Sequence, residues 1–339
     1  MKSLNHNIVS RFLTNLFFIF LLALFTPVFS QNQIETEAQK SILLPEKTMV
    51  SENIAYKTNN GKPVLLDIYA PKNISPEKLP VLIYVHGGGW VGGEKTIHAD
   101  TYIENTILKL VEKDYAVISI EYTLVGETVH FPLPIQDTKD AIRWVRKNAE
   151  KYNFDPNNIG LFGASAGAHL SMLAAYTNDN EFVGDPDLSK YSAKVSYVVN
   201  NFGPTDLNKL LHTRAGKIPV FFINLFAKNI VELRSKIVLG MSGYDIKKDK
   251  RKIVEYFKTI SPISYVDNGI PTLILQGNKD KVVPMQQSKK LKRKLKKENI
   301  ANNLTIVKDG THGFRTTDKA YLEQLSNEMV GFIVSQKKP

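Results

Sequence analysis

A serine with a glycine two residues before it and another two residues after it lies where the chain is expected to turn from a strand into a helix. The chain carries the motif GASAG at 163–167, which follows the apolar run 159–162 and precedes an alanine-rich helical pattern. Side chains at the two flanking positions would collide in so sharp a turn, and glycine removes that collision. The turn holds the oxygen of Ser165 clear of the sheet, above the N-terminus of the next helix, where negative charge is favoured. The motif therefore predicts Ser165 as a nucleophile.

A glycine-rich motif follows the predicted strand 80–85. It reads HGGGW at 86–90. Glycines let backbone N–H groups approach a developing oxyanion with no Cβ in the way. We therefore expect the amides of Gly87, Gly88 and Ala166 to form an oxyanion hole beside the serine.

The large side chain at the end of this motif, Trp90, has two possible roles. It could flank the bound substrate, or it could act as a wedge that holds the loop in place. The sequence does not decide between them, and Trp90 is therefore a candidate substrate-binding residue.

A serine nucleophile needs a general base, and the base needs a group that orients it. His312 lies in a loop after the last predicted strand, and Asp280 lies in a loop after the strand before it. Because Ser165 also follows a strand, all three side chains are expected at the carboxyl edge of the sheet, where open α/β folds place their sites. Asp267 and Asp309 are the nearby alternatives to Asp280.

The elements that must position these residues alternate along the chain between apolar runs of strand length and longer segments of helical periodicity. Several of the apolar runs have no polar face, which is typical of a mostly parallel sheet covered by helices. The fold class is therefore α/β. The predicted strands are 50–57, 64–69, 80–85, 116–121, 158–163, 195–201, 272–276 and 303–307, and the predicted helices are 100–113, 136–151, 166–176, 286–298 and 318–335.

One segment, at about 207–260, interrupts this alternation. It is predicted to be a small helical cap inserted into a single domain that covers 47–339. Its apolar patch at 218–226, with Phe221, Phe222 and Phe226, is a candidate lining for an acyl or aromatic pocket, although such residues also pack in cores.

The first thirty residues have the features of a secretory signal peptide. Lys2 and Arg11 precede the apolar run 16–25, and Ser30 is a small residue at the expected cleavage site. The run is about half of the roughly 20 residues that a bilayer-spanning helix needs. A cleaved signal peptide at 1–30 is therefore predicted, with a retained short anchor as the alternative, and residues 31–46 are expected to be a polar linker.

Composition and charge exclude several kinds of site. The 339 residues include 44 Lys and Arg against 33 Asp and Glu, a net charge of +11, and no cysteine. The lack of cysteine excludes disulfides, zinc–thiolate sites, iron–sulfur clusters and a cysteine nucleophile.

A dense part of the positive charge lies at 289–297. Leu291 and Leu295 within it indicate an amphipathic surface helix with a solvated basic face. No aromatic residue interleaves these lysines, so nucleic acid is not the expected partner. Attraction to acidic polysaccharide or to an anionic membrane surface is the alternative.

Taken together, these motifs resemble the α/β-hydrolase superfamily and, more narrowly, the carboxylesterases of the hormone-sensitive-lipase and acetyl-xylan or feruloyl-esterase (BD-FAE-like) type. The resemblance covers about 48–335 and implies an α/β-hydrolase fold with about eight strands. Thr123 stands where the family often has arginine, which puts in doubt a salt bridge that commonly braces the site region. Further strings that carry the resemblance are GGWVGGEK at 88–95, FPLPIQD at 131–137, NFGPTDL at 201–207 and GNKDKVVP at 277–284.

The resemblance implies an exported serine carboxylesterase, periplasmic or secreted, in which Ser165, His312 and Asp280 act through an acyl-enzyme. The expected substrates are short-chain acyl or aromatic esters, including acetyl or feruloyl groups on plant polysaccharide. The mechanism needs no metal and no organic cofactor, and no stable membrane insertion is expected after cleavage. An amidase, aryl-formamidase or peptidase on the same framework stays open, as does a non-catalytic binding protein.

Overall fold

Eight strands form one sheet in the computed structural model, which describes residues 39–73, 76–215, 228–314 and 318–338. The strands are β1 (Met49–Asn59), β2 (Lys62–Ala70), β3 (Leu79–Val85), β4 (Ala116–Ile120), β5 (Phe154–Ala164), β6 (Val198–Asn201), β7 (Thr272–Gly277) and β8 (Asn302–Val307). Their order across the sheet is β1-β2-β4-β3-β5-β6-β7-β8. Strand β2 pairs antiparallel with β1 and β4, whereas the other neighbours are parallel. The predicted mostly parallel sheet is confirmed.

Helices cover both faces of this sheet. In the described residues they are α1 (Leu43–Lys47), α2 (Tyr102–Val111), α3 (Leu133–Lys147), α4 (Ala166–Tyr176), α5 (Leu207–Leu210), α6 (Lys228–Ser242), α7 (Lys250–Thr259), α8 (Gln286–Lys297) and α9 (Lys319–Ser335). Side chains of α1, α2 and α9 share one buried hydrophobic cluster, and those of α3, α4, α7 and α8 share the other. Strand β3 serves both clusters, because Ile83 points into one and Leu82 into the other. This explains why the central strands are apolar on both faces.

The start of the domain differs from the prediction. The polar linker expected at 31–46 is wrong from Lys40 onward, since Lys40 forms an antiparallel bridge with His98 and Leu44 in α1 is 1% exposed. A single helical turn with one buried leucine is too short a pattern for periodicity to indicate. The signal peptide predicted at 1–30 and the linker up to residue 38 lie outside the described residues.

The insert between β6 and β7 is helical in its described part, as predicted, and consists of α5, α6 and α7. Helix α7 packs on the core through Ile253 and Phe257, both fully buried. The apolar patch predicted as a pocket lining, 218–226, lies outside the described residues. None of the helices in the described ranges is both long and apolar enough to span a bilayer.

The basic segment forms α8, and its two leucines, Leu291 and Leu295, are fully buried while Lys289 and Arg293 face solvent. The predicted amphipathic surface helix is thus confirmed. Lys290 in this helix forms a salt bridge of 2.7 Å with Asp206 at the start of α5.

Candidate active site

Ser165 occupies a strained turn between β5 and α4. Its backbone has φ 54° and ψ −118°, a region that non-glycine residues rarely adopt and that costs of order 1–3 kcal/mol. The turn brings three segments so close that a Cβ on Gly163 would lie 2.4 Å from the carbonyl oxygen of Gly167, and a Cβ on Gly167 2.0 Å from that of Val85. The predicted need for both glycines is therefore confirmed. The amide of Ser165 donates to the carbonyl oxygen of Asn201 at 2.9 Å, which fixes the turn to β6.

The structure brings the three residues of the predicted triad together from the ends of three strands. Nε2 of His312 lies 2.9 Å from Oγ of Ser165, and Nδ1 of His312 lies 2.8 Å from Oδ2 of Asp280. A carboxylate can only accept, so Nδ1 carries the proton and Nε2 is free to accept the serine hydroxyl proton. The ring of Phe202 packs edge-on against the imidazole with centroids 4.8 Å apart and holds it from one side.

The carboxylate hydrogen-bonded to the catalytic histidine is that of Asp280 and not that of Asp309. The side chain of Asp280 is fully buried, and its Oδ1 accepts hydrogen bonds of 2.8 Å from the amides of Val282 and Val283. Asp309 instead lies at the surface in a salt bridge of 2.9 Å with Lys279. The loop after β7 thus provides a preformed acceptor site for the imidazole.

Gln276 is a site residue that the sequence analysis missed. Its Nε2 donates to Oδ2 of Asp280 at 3.1 Å, and its own Oε1 accepts a hydrogen bond of 2.8 Å from Ser288 in α8. Both side chains are fully buried. A glutamine inside an apolar strand, four residues before the aspartate, was the signal in the sequence that could have indicated this role.

The glycine loop after β3 is held in place through the carbonyl groups of His86, Gly87 and Gly88. Tyr122 donates through its hydroxyl to the carbonyl oxygens of His86 and Gly87, at 3.2 and 3.3 Å. The carbonyl of Gly88 accepts from two amides of the following turn. Among the described residues, the amides of Gly87, Gly88 and Ala166 donate to no protein acceptor.

Gly87 lies directly beside the nucleophile, because a Cβ placed on it would be 3.5 Å from Cβ of Ser165. At Gly88 φ is +113°, and a Cβ would lie 1.9 Å from the carbonyl oxygen of Gly92. The loop geometry therefore requires glycine at Gly88. Since Ala166 is the first residue of α4, its free amide belongs to the positive end of that helix.

Trp90 lies inside the protein and is 4% exposed. Its indole Nε1 donates to Nδ1 of His169 at 3.2 Å, and its carbonyl oxygen accepts from the amide of Val125 at 2.9 Å. Of the two roles that the sequence left open, this burial supports the wedge and does not support the substrate contact.

Near Thr123, where the family often has arginine, the structure contains a different salt bridge. The amide of Thr123 donates to Oδ2 of Asp137 at 2.7 Å, and Lys57 from β1 contributes the cation, 3.0 Å from Asp137 and 2.7 Å from Asp140. All three charged side chains are almost fully buried, and the two carboxylates outweigh desolvation and raise the pKa of Lys57. A salt bridge is therefore present at this place, with a partner that the family pattern did not indicate.

The comparison with family models decides the family. The model described as BD-FAE matches residues 66–295, about two thirds of the chain. The chain belongs to the BD-FAE family. This membership agrees with the resemblance drawn from the motifs, and the matched range contains Ser165, Asp280 and the glycine loop.

Known proteins similar to this BD-FAE chain include two esterases of Mycobacterium tuberculosis. Esterase LipC is 29% identical over 260 residues, which are 76% of this chain and 58% of LipC. Esterase LipQ is 32% identical over 231 residues, which are 68% of this chain and 49% of LipQ. The chain thus spans about half of the length of these relatives.

A solved structure described as a truncated carbohydrate esterase from gut microbiota superimposes with a TM-score of 0.66. It is 27% identical to this chain, and the alignment covers 89% of this chain and 98% of that one. The eight-stranded sheet is therefore an α/β-hydrolase fold, as the motifs predicted.

Proposed function

We propose that this protein is a serine carboxylesterase that hydrolyses short acyl or aromatic esters through an acyl-enzyme. The observation that carries the proposal is the continuous chain of hydrogen bonds from Ser165 through His312 to Asp280, with distances of 2.9 and 2.8 Å. Family membership and the similarity to proteins named esterases support the same conclusion.

The first half of the reaction forms the acyl-enzyme. His312 accepts the hydroxyl proton through Nε2 as Oγ of Ser165 attacks the ester carbonyl, and Asp280 stabilises the imidazolium that results. The amides of Gly87, Gly88 and Ala166 stabilise the oxyanion, aided by the positive end of α4. His312 then protonates the leaving alcohol.

The second half releases the acid. His312 removes a proton from water, which attacks the acyl carbonyl, and the same amides stabilise the second oxyanion. Collapse of this intermediate returns the proton from His312 to Oγ of Ser165. Every proton in the cycle passes through Nε2, so the Nδ1–H bond to Asp280 can stay in place throughout.

The proposed natural substrates are acetyl or feruloyl esters on plant polysaccharide. This proposal is supported by the similarity to the structure described as a carbohydrate esterase, at 27% identity over nearly all of that chain. The apolar run 16–25 behind two basic residues supports export to the periplasm or the exterior, where such polymers would be met.

The test is a substrate panel with matched serine variants. Ser165→Ala is expected to abolish hydrolysis of p-nitrophenyl acetate, methyl ferulate and acetylated xylan. Ser171→Ala is the control, since Ser171 is a buried serine of α4, the helix that follows Ser165, and its Oγ has no hydrogen-bond partner in the described structure. Wild-type activity in Ser165→Ala would contradict the proposal, and faster cleavage of formyl-anilides than of acetyl esters would indicate an amidase.

A further inference from the structure

One buried histidine, His169, connects the glycine loop to the end of the helical insert. It lies in α4, four residues after Ser165, and is fully buried. Its Nδ1 accepts from the indole of Trp90 at 3.2 Å, and its Nε2 lies 2.7 Å from the carbonyl oxygen of Ile260, the residue that follows α7. The mechanism proposed above does not use this side chain.

The two bonds define the state of the imidazole. An indole N–H can only donate, so Nδ1 of His169 must be unprotonated and the ring proton sits on Nε2, from where it is donated to Ile260. Burial lowers the pKa of His169 to about 4, so the ring is neutral at neutral pH. A single tautomer therefore satisfies both neighbours at once.

The position of Trp90 in turn determines where the glycine loop lies. The carbonyl of Gly88 accepts from the amides of Val91 at 3.2 Å and Gly92 at 3.0 Å, so Trp90 sits within one tight turn. Trp90 itself has φ 66°, a conformation that is held only when the surroundings fix it. Any displacement of the indole would move this turn, and with it the amides of Gly87 and Gly88.

We infer that His169 is a positioning residue that holds the oxyanion loop against Ser165 by bonding Trp90 on one side of its ring and Ile260 on the other. The inference rests on the proposed function, because its effect on rate requires that the loop binds an oxyanion. Trp90 is then the side chain that connects His169 to the glycine loop. The bond to Ile260 also makes the end of α7 part of the support of the oxyanion hole, although Ile260 is far from Ser165 in sequence.

The kinetic test compares variants of His169 with a control on the same helix. His169→Phe keeps an aromatic ring and removes both hydrogen bonds, and it is expected to lower kcat on p-nitrophenyl acetate by about tenfold or more with KM changed less than about twofold. His169→Gln, whose amide can accept from Trp90 and donate to Ile260, is expected to stay within about threefold of wild type.

The control is Tyr176→Phe, which removes a buried hydrogen bond of 2.7 Å between Tyr176 and Thr272 at the far end of α4. Both it and His169→Phe are expected to lower the melting temperature, and only His169→Phe is expected to lower kcat. Equal losses of kcat in the two variants, or full kcat in a folded His169→Phe, would overturn the inference. Trp90→Phe provides a second variant, because it removes the indole donor and leaves His169 in place.

A spectroscopic measurement tests the hydrogen bond without relying on activity. The chain has two tryptophans, Trp90 and Trp144, so the indole N–H signals in a ¹H–¹⁵N spectrum can be assigned with Trp90→Phe. The Trp90 signal is expected to shift in His169→Phe and to stay in place in Tyr176→Phe, and an unmoved signal in His169→Phe would contradict the bond. A wild-type protein that hydrolyses no ester would overturn the proposed function, while this spectrum would still decide the contact.

Discussion

Gln276 donates a hydrogen bond of 3.1 Å to the same carboxylate oxygen of Asp280 that lies 2.8 Å from the imidazole of His312. With Oδ1 already bound by two backbone amides, the carboxylate cannot rotate. Gln276→Leu removes one of these restraints and is expected to lower kcat by about tenfold with little change in KM. Steady-state kinetics on p-nitrophenyl acetate measure this.

The matched control for this prediction is Gln287→Leu. Gln287 is also a buried glutamine, but it bonds to Thr205 and Asp206 and does not contact the triad. Its loss is expected to lower stability and to leave kcat close to wild type. Identical kinetics for both leucine variants would show that the bond to Asp280 has no part in catalysis.

Asp280→Asn tests which carboxylate orients the histidine. The amides of Val282 and Val283 donate to the Oδ1 position, so the oxygen of the asparagine amide takes that place and its NH2 group, which can only donate, faces Nδ1 of His312. The wrong imidazole tautomer is then favoured, and kcat is expected to fall by about 10³–10⁴. Asp309→Asn is the control, because Asp309 is exposed and paired with Lys279, and its kcat is expected to be unchanged. The reverse result would assign the orienting role to Asp309.

The sequence was sufficient to predict the residues whose role depends on local context. Ser165 was indicated by the glycines on either side, and His312 and Asp280 by their loops after strands, because a parallel sheet brings the carboxyl ends of its strands to one edge. All eight strands were located, and the central strands β3 and β4 are nearly continuous apolar runs.

The supporting residues could not be predicted, because each acts through a contact that is distant in sequence. Lys57 on β1 reaches Asp137 and Asp140 on α3, and His169 reaches Trp90 and the segment after α7. A lysine or histidine inside an apolar pattern indicates burial but not its partner. The same limit explains why Thr123 puts in doubt a salt bridge that Lys57 provides in the structure.

Replacement of Lys57 should be strongly destabilising. Lys57→Met leaves the fully buried Asp137 without its cation and Asp140 with Arg143 alone, and we expect a loss of about 3–5 kcal/mol in the free energy of unfolding. Denaturant titration measures this value. Lys78→Met, which breaks an exposed pair with Glu150, should cost less than about 1 kcal/mol, and equal costs for both variants would show that burial does not matter here.

Stability should fall in mild acid because of His169. Its pKa is about 4 in the folded state against an ordinary value of 6.5, so the unfolded chain binds the proton first as the pH falls. Protonation of this histidine in the unfolded chain therefore leaves the free energy of unfolding unchanged above pH 7. It lowers that free energy by about 2 kcal/mol at pH 5 and by about 3 kcal/mol at pH 4. The check is the difference in unfolding free energy between wild type and His169→Gln at pH 7 and pH 5, and a pH-independent difference would contradict the neutral, buried ring.

The central claim is that Ser165 is a nucleophile activated by His312. Reaction with a fluorophosphonate probe, followed by peptide mass spectrometry, tests this claim directly. We expect the label on Ser165 in the wild type and no label in Ser165→Ala or His312→Gln. A folded wild-type protein that takes no label at Ser165, or that is labelled equally after loss of His312, would contradict the account.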